Sequence, residues 1–179
     1  MLLYSPFLII FLWFTNSWCE KIQEFLSNGD MSVLVAGKLS NWVFDQSKNT
    51  GEFIQDIDTP DSKVKYSGKL NCSKYQSAYV LIVQKPILDE NADYIFSGWY
   101  KVDTGTTKSS IAILATPFFE TMPRTIISKI ETVLDNKWHY FENKFNSGEY
   151  SEYNVSIKLN SIGIIWLTNL SLKTVIATD

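Results

Sequence analysis

The chain is poor in the residues from which most catalytic and metal sites are built. Its 179 residues include one histidine and two cysteines. Neither a zinc site nor a dithiol redox motif can be assembled from so few ligands once Cys19 is set apart with the N-terminal segment discussed below. Arginine is nearly absent: Arg124 is the single one among 16 basic residues. Arginine supplies the planar fork that clamps carboxylates and phosphates, so phosphate-centred chemistry has little to work with. No glycine-rich phosphate loop and no G-x-S-x-G elbow is present. The formal net charge of −3 argues against a nucleic-acid partner, which would favour a basic face. His139 is the only base around which a nucleophilic triad could form, and on an expected strand beside Trp138 it reads as an outward polar residue. The acidic residues, among them Asp103, Glu120, Glu131 and Glu142, show no spacing that singles out a pair for glycoside hydrolysis, so no enzyme is expected.

Charge is also missing from residues 1–19. The run Phe7-Leu8-Ile9-Ile10-Phe11-Leu12-Trp13-Phe14 is continuously apolar. It is too short for a bilayer-spanning helix, which takes about 20 apolar residues, and it has the length of a signal-peptide core. We therefore read residues 1–19 as a signal peptide, with cleavage after Cys19 or after Ser17. No second apolar run follows, so a secreted, extracellular product without a membrane span is expected. Three N-x-S/T sequons, at Asn71, Asn154 and Asn169, fit export and are candidate glycosylation sites. Removal of Cys19 leaves Cys72, which reads as a buried small apolar residue, the other reading being an intermolecular thiol.

What is abundant is aromatic and β-branched sequence. Period-two runs recur, punctuated by turn formers such as Asp58-Thr59-Pro60-Asp61 and Asp103-Thr104-Gly105. Strands are expected at 42–45, 51–57, 64–72, 79–84, 94–102, 111–116, 125–134, 138–145, 153–159, 162–167 and 170–175; for 125–134 a short helix is the other reading, and its β-branched content favours the strand. The clearest is Tyr94 to Val102, with Tyr94, Phe96, Gly98, Tyr100 and Val102 on one face and Ile95, Ser97, Trp99 and Lys101 on the other. The segment Tyr79-Val80-Leu81-Ile82-Val83 is apolar on both faces until Gln84. Such a count at even spacing indicates one all-β sandwich or barrel, spanning 25–179.

The punctuation of these strands resembles the β-jelly-roll carbohydrate-binding modules of the galactose-binding-domain-like group. Asn28-Gly29-Asp30-Met31-Ser32 is similar to their opening "N-G-x-F-E". Tyr94, Ser97, Trp99 and Lys101 match "Y-x-x-S-x-W-x-K". Lys137-Trp138-His139-Tyr140-Phe141 with Phe145 resembles "W-x-x-Y/F…F". Gly163 to Leu172 resembles the closing "G-x-I-Y-I-D-N-V-S-L". The resemblance implies a jelly-roll β-sandwich and a non-catalytic, glycan-binding role. Many members hold a structural calcium. Here Ser32 stands for the expected Glu and Thr168 for the expected Asp, leaving Asp30, so no cofactor is expected.

Exposed aromatic rings can pack on the apolar faces of sugars while nearby polar groups bind hydroxyls. Trp99 lies on the Ser97/Lys101 face, and Gln84 would join it if the two strands paired. Trp99, Lys101 and Gln84 are therefore the candidate ligand-binding residues, with Trp42, Trp138 and Trp166 assigned to the core. A surface-coat or protein-interaction role on the same sandwich is the alternative, since a module serving an enzyme is ordinarily fused to it and this chain ends at the sandwich.

Overall fold

The computed structural model describes residues 23–47, 49–73, 78–107, 111–118 and 128–175. The expected signal peptide lies outside them. The described residues form strands and no helix. These are β1 (Leu34–Val35), β2 (Lys38–Leu39), β3 (Val43–Gln46), β4 (Gly51–Asp56), β5 (Ser67–Cys72), β6 (Val80–Gln84), β7 (Asp93–Val102), β8 (Ile111–Pro117), β9 (Ser128–Lys129), β10 (Trp138–Asn146), β11 (Tyr153–Leu159) and β12 (Gly163–Thr174). Two five-stranded antiparallel sheets face each other, ordered β10-β7-β12-β5-β4 and β3-β6-β11-β8-β9. Strands β1 and β2 form a separate hairpin, turned by Ala36 and Gly37, both at positive φ.

Alternation assigns the faces. Tyr94, Phe96, Tyr100 and Val102 of β7 point inward, as do Val80 and Ile82 of β6, Ile111 and Ile113 of β8, and Tyr153, Val155, Ile157 and Leu159 of β11. Together they form the layer between the sheets, where each fully buried large side chain contributes about 1.5–3 kcal/mol. Cys72 belongs to this core, as does Trp42, whose indole N–H donates to the Asn28 carbonyl at 3.2 Å.

The opening Asn28-Gly29 pair has a steric basis. A Cβ on Gly29 would sit 1.8 Å from the Leu170 carbonyl oxygen, so only glycine lets the chain pass β12. The Leu170 N–H then donates to the Gly29 carbonyl at 3.0 Å. The two closing runs expected at 162–167 and 170–175 are one strand, β12. Its register slips between Thr168 and Ser171, where Asn169 takes a positive φ of 50°. Of the expected strand at 125–134, residues 125–127 lie outside the described ones, and among the described residues only Ser128–Lys129 is strand, β9.

Candidate ligand-binding groove

The three candidate residues are not one patch. Strands β6 and β7 lie in opposite sheets, so Gln84 and Trp99 do not share a face. Gln84 has the inward parity of Val80 and Ile82. Its side-chain oxygen accepts from the Ser27 N–H at 3.0 Å and its NH₂ donates to the Ser27 carbonyl at 2.6 Å. Both ends of the amide are thus used to hold the N-terminal segment to the sandwich. Its inward parity and these two bonds hold the amide away from the outer faces where a ligand would lie.

Lys101 does lie on the outward face of β7, but it is 6% exposed. The β4–β5 connection, residues 57–66, folds back across β5, β12 and β7 and brings Asp58 onto the Lys101 ammonium as an ion pair. The other Asp58 oxygen accepts the Trp138 indole N–H at 3.1 Å. The Lys101 ammonium also lies 4.1 Å from the centroid of the Trp166 ring and 5.8 Å from that of Trp138. Register explains the grouping: Trp138, Lys101, Trp166 and Lys69 are consecutive partners across β10, β7, β12 and β5. Trp138 and Trp166, expected in the core, therefore belong to the outer face, where a polar strap covers them. Trp166 donates its indole N–H to Asp56 at 3.1 Å. Burial works to raise the Asp56 pKa, but that indole bond, two backbone N–H bonds and Lys69 outweigh it and leave the pKa lowered. Trp99 sits one row away, half-buried, 5.4 Å from the ring of Tyr140, which is 53% exposed.

The other sheet carries a groove on its outer face. Three rows across β6, β11 and β8 build its floor. They are Lys85, Asn154 and Thr116, then Val83, Ser156 and Leu114, then Leu81 and Lys158. Phe118 walls one end. The depression encloses about 330 Å³. Its centre line along β11 is polar, Asn154-Ser156-Lys158, and apolar residues of β6 and β8 flank it. The side chains of Thr116, Asn154 and Ser156 make no hydrogen bond among the described residues. An apolar floor with a few unspent polar groups is the composition of a ligand site. Sequence reasoning passed over this face although β6 signalled it: a strand apolar on both faces in a sandwich must show one of them to something other than the core.

At the position of the calcium site typical of the resembling modules, Asp30 is the one carboxylate among the described residues lining a depression, with Ser32, Lys63, Lys65, Tyr66 and Asn169 beside it. Thr168 is fully buried, and its hydroxyl donates to the Tyr66 carbonyl at 2.7 Å. Among the described residues no group of three His, Cys, Asp or Glu converges. His139 pairs with Asp135 at 2.8 Å and stacks on Tyr100, which fixes the turn leading into β10.

Comparison with solved structures identifies the architecture. The domain superposes on a CBM4 module with a TM-score of 0.58 at 14% identity, covering 83% of this chain and 99% of that one. It matches the CBM22-1 xylan-binding domain from Paenibacillus barcinonensis with a TM-score of 0.59 at 13% identity, covering 87% and 97%. The fold is that of a carbohydrate-binding module. The same module fold recurs inside larger proteins. In the enzymatically active domain of bacteriophage CBA120 tailspike protein 4 the match has a TM-score of 0.66 at 14% identity over 85% of this chain, and this chain spans about a fifth (21%) of that domain's length. No protein-family model and no curated protein matches the chain.

Proposed function

We propose that the chain is an exported, non-catalytic module that holds a glycan in the groove over β6, β11 and β8. The observation that carries this reading is the groove itself. It is an apolar depression with a central line of unspent hydroxyl, amide and ammonium groups, on a fold shared with proteins described as carbohydrate-binding. Sugar rings would lie on Leu81, Val83 and Leu114 with their hydroxyls toward Asn154 and Ser156. Export rests on the apolar run at 7–14 and on the three sequons. Of these, Asn169 is the exposed one, while Asn71 and Asn154 are half-buried.

The test is affinity electrophoresis of the full chain, made in a bacterial host that adds no N-glycan, through a panel of soluble polysaccharides. Retardation by at least one polysaccharide is expected. It should be lost in Ser156→Phe, which fills the groove from a half-buried outward position. No retardation by any of them, or equal retardation of a folded Ser156→Phe variant, would overturn the reading.

A second reading rests on the Trp99–Tyr140 pair on the opposite face. Those adjacent rings, with Tyr140 half exposed, suit docking by an extracellular protein. Trp99→Ala with Tyr140→Ala separates the two. It should leave glycan retardation unchanged and abolish partner capture from the secreting organism's extracellular material.

A further inference from the structure

We propose that the groove's ligand is an anionic oligosaccharide, one whose sugars carry carboxylates or sulfates. This deepens the groove reading and rests on it. Lys85 and Lys158 both line the groove, and among the described residues no Asp or Glu lines it. Among the described residues neither ammonium is in an ion pair, whereas Lys101, Lys129 and Lys173 all are. Each of the two is instead poised on an aromatic ring: Lys85 lies 4.5 Å from the centroid of Phe118 and Lys158 lies 4.8 Å from that of Tyr79. A ring face orients an ammonium without neutralising it, so two full positive charges are presented to the groove. The surrounding molecule is net acidic, −3, which makes this patch a local inversion of sign.

Two neighbouring acids among the described residues are accounted for. Asp45 shares a row with Leu81 and Lys158 but sits on the edge strand β3, outside the lining, where it accepts the Tyr79 hydroxyl at 3.0 Å. That hydrogen bond, first, and the carboxylate's charge, second, raise the Tyr79 pKa, so the phenol stays neutral beside Lys158. Glu152 is exposed beyond the Lys85 row, opposite Ile87, and forms no ion pair with it.

Spacing sets the ligand's length. Lys85 lies across from Asn154, and Lys158 is four residues further along β11, about 13 Å at the rise of an antiparallel strand. One sugar cannot reach both ends, so the ligand is an oligosaccharide with charge at two positions. Lysine, a mobile point charge, accepts carboxylate or sulfate, while the fork that would select between them is absent.

The experiment compares polygalacturonate, a sulfated galactan and neutral xylan by titration calorimetry with the full chain at low and high salt. The acidic polymers should bind more tightly than xylan, and their advantage should shrink as salt screens it. Lys85→Ala with Lys158→Met should weaken acidic-polymer binding about tenfold, a larger loss than for xylan, and should remove the salt dependence. Glu152→Gln, which removes a charge outside the groove, should strengthen acidic-polymer binding. Uronate and sulfate polymers bound alike support the shared chemistry, as does a preference for either over xylan. Xylan bound as tightly as both, with no effect of the lysine substitutions, would overturn the anionic assignment while leaving the groove reading intact. Binding of every polymer that survives Ser156→Phe would overturn both.

Discussion

Removing the Asp58 carboxylate should loosen the strap that the β4–β5 connection lays over the outer tryptophans. Asp58 faces the Lys101 ammonium, whose side chain is 8% exposed, and it also accepts the Trp138 indole N–H. Breaking a buried ion pair from one side costs about 3–5 kcal/mol, because the other charge stays desolvated. Two features reduce that figure here. The Asp58 side chain is 44% exposed, so water can enter on its side, and the Trp166 face 4.1 Å from the ammonium retains part of the stabilisation. Asp58→Ala should therefore cost about 2 kcal/mol, or about 4–8 °C in Tm for a domain of this size. Lys101→Met should cost about 1 kcal/mol or less, since the freed carboxylate returns to water while methionine fills the same space between the two indoles. The double variant should resemble Lys101→Met alone, giving a coupling energy of about 2 kcal/mol, the whole Asp58→Ala cost, in a cycle measured by urea unfolding. Strictly additive losses, or an Asp58→Ala variant within about 0.5 kcal/mol of the parent, would refute the reasoning.

Four further expectations concern other parts of the molecule. Gln84→Ala leaves the Ser27 N–H and carbonyl without partners and should cost about 1–3 kcal/mol by denaturant unfolding, with glycan binding unchanged. Because the Asp56 pKa is lowered on folding, the stability it contributes is present above the ordinary aspartate value of 3.8 and is lost as pH falls through the folded value; Asp56→Asn should flatten the acid limb of a Tm-against-pH curve. Burial raises the pKa of Tyr94, Tyr100 and Tyr153, the last to about 12, so their stabilising contribution is intact below pH 10 and is lost as pH rises through the folded values; phenolate absorbance of these three should appear with alkaline unfolding rather than before it. Asn154 points into the groove, so an N-glycan there would occupy it and the groove reading requires that sequon to stay unmodified: chain from a glycosylating host should carry no glycan at Asn154 by peptide mapping and should bind polysaccharide like the bacterial chain, whereas glycans at Asn71 and Asn169 should not interfere.

The inward faces were readable wherever alternation was strict. Tyr94, Phe96, Tyr100 and Val102 could be placed from β7 alone, because residues two apart share a side whatever the strand pairs with. Strand pairing was not readable in the same way. Trp99 and Gln84 belong to consecutive strands, and consecutive strands are often neighbours. In this sandwich the chain crosses between sheets from β6 to β7, so the expected patch was split across its thickness. Trp138 and Trp166 misled for a related reason. Their hydrophobicity suggested the core, while the parity of Ile165 and Leu167 already placed Trp166 on the opposite side of β12. What buries it is a loop closing from β4, a contact between residues 110 positions apart that no local pattern encodes. The hairpin of β1 and β2 escaped notice because two residues per strand give no period to detect.

The distribution of indoles has a practical consequence for anyone following ligand uptake by light. Among the described residues no tryptophan lines the groove; Trp99, Trp138 and Trp166 are on the far sheet and Trp42 is inside. Intrinsic tryptophan emission will therefore report on the strap and the core, shifting when Asp58 is replaced or the domain melts. It will stay dark to an oligosaccharide settling between Phe118 and Lys158, and a flat fluorescence titration of this protein is no evidence that nothing has bound.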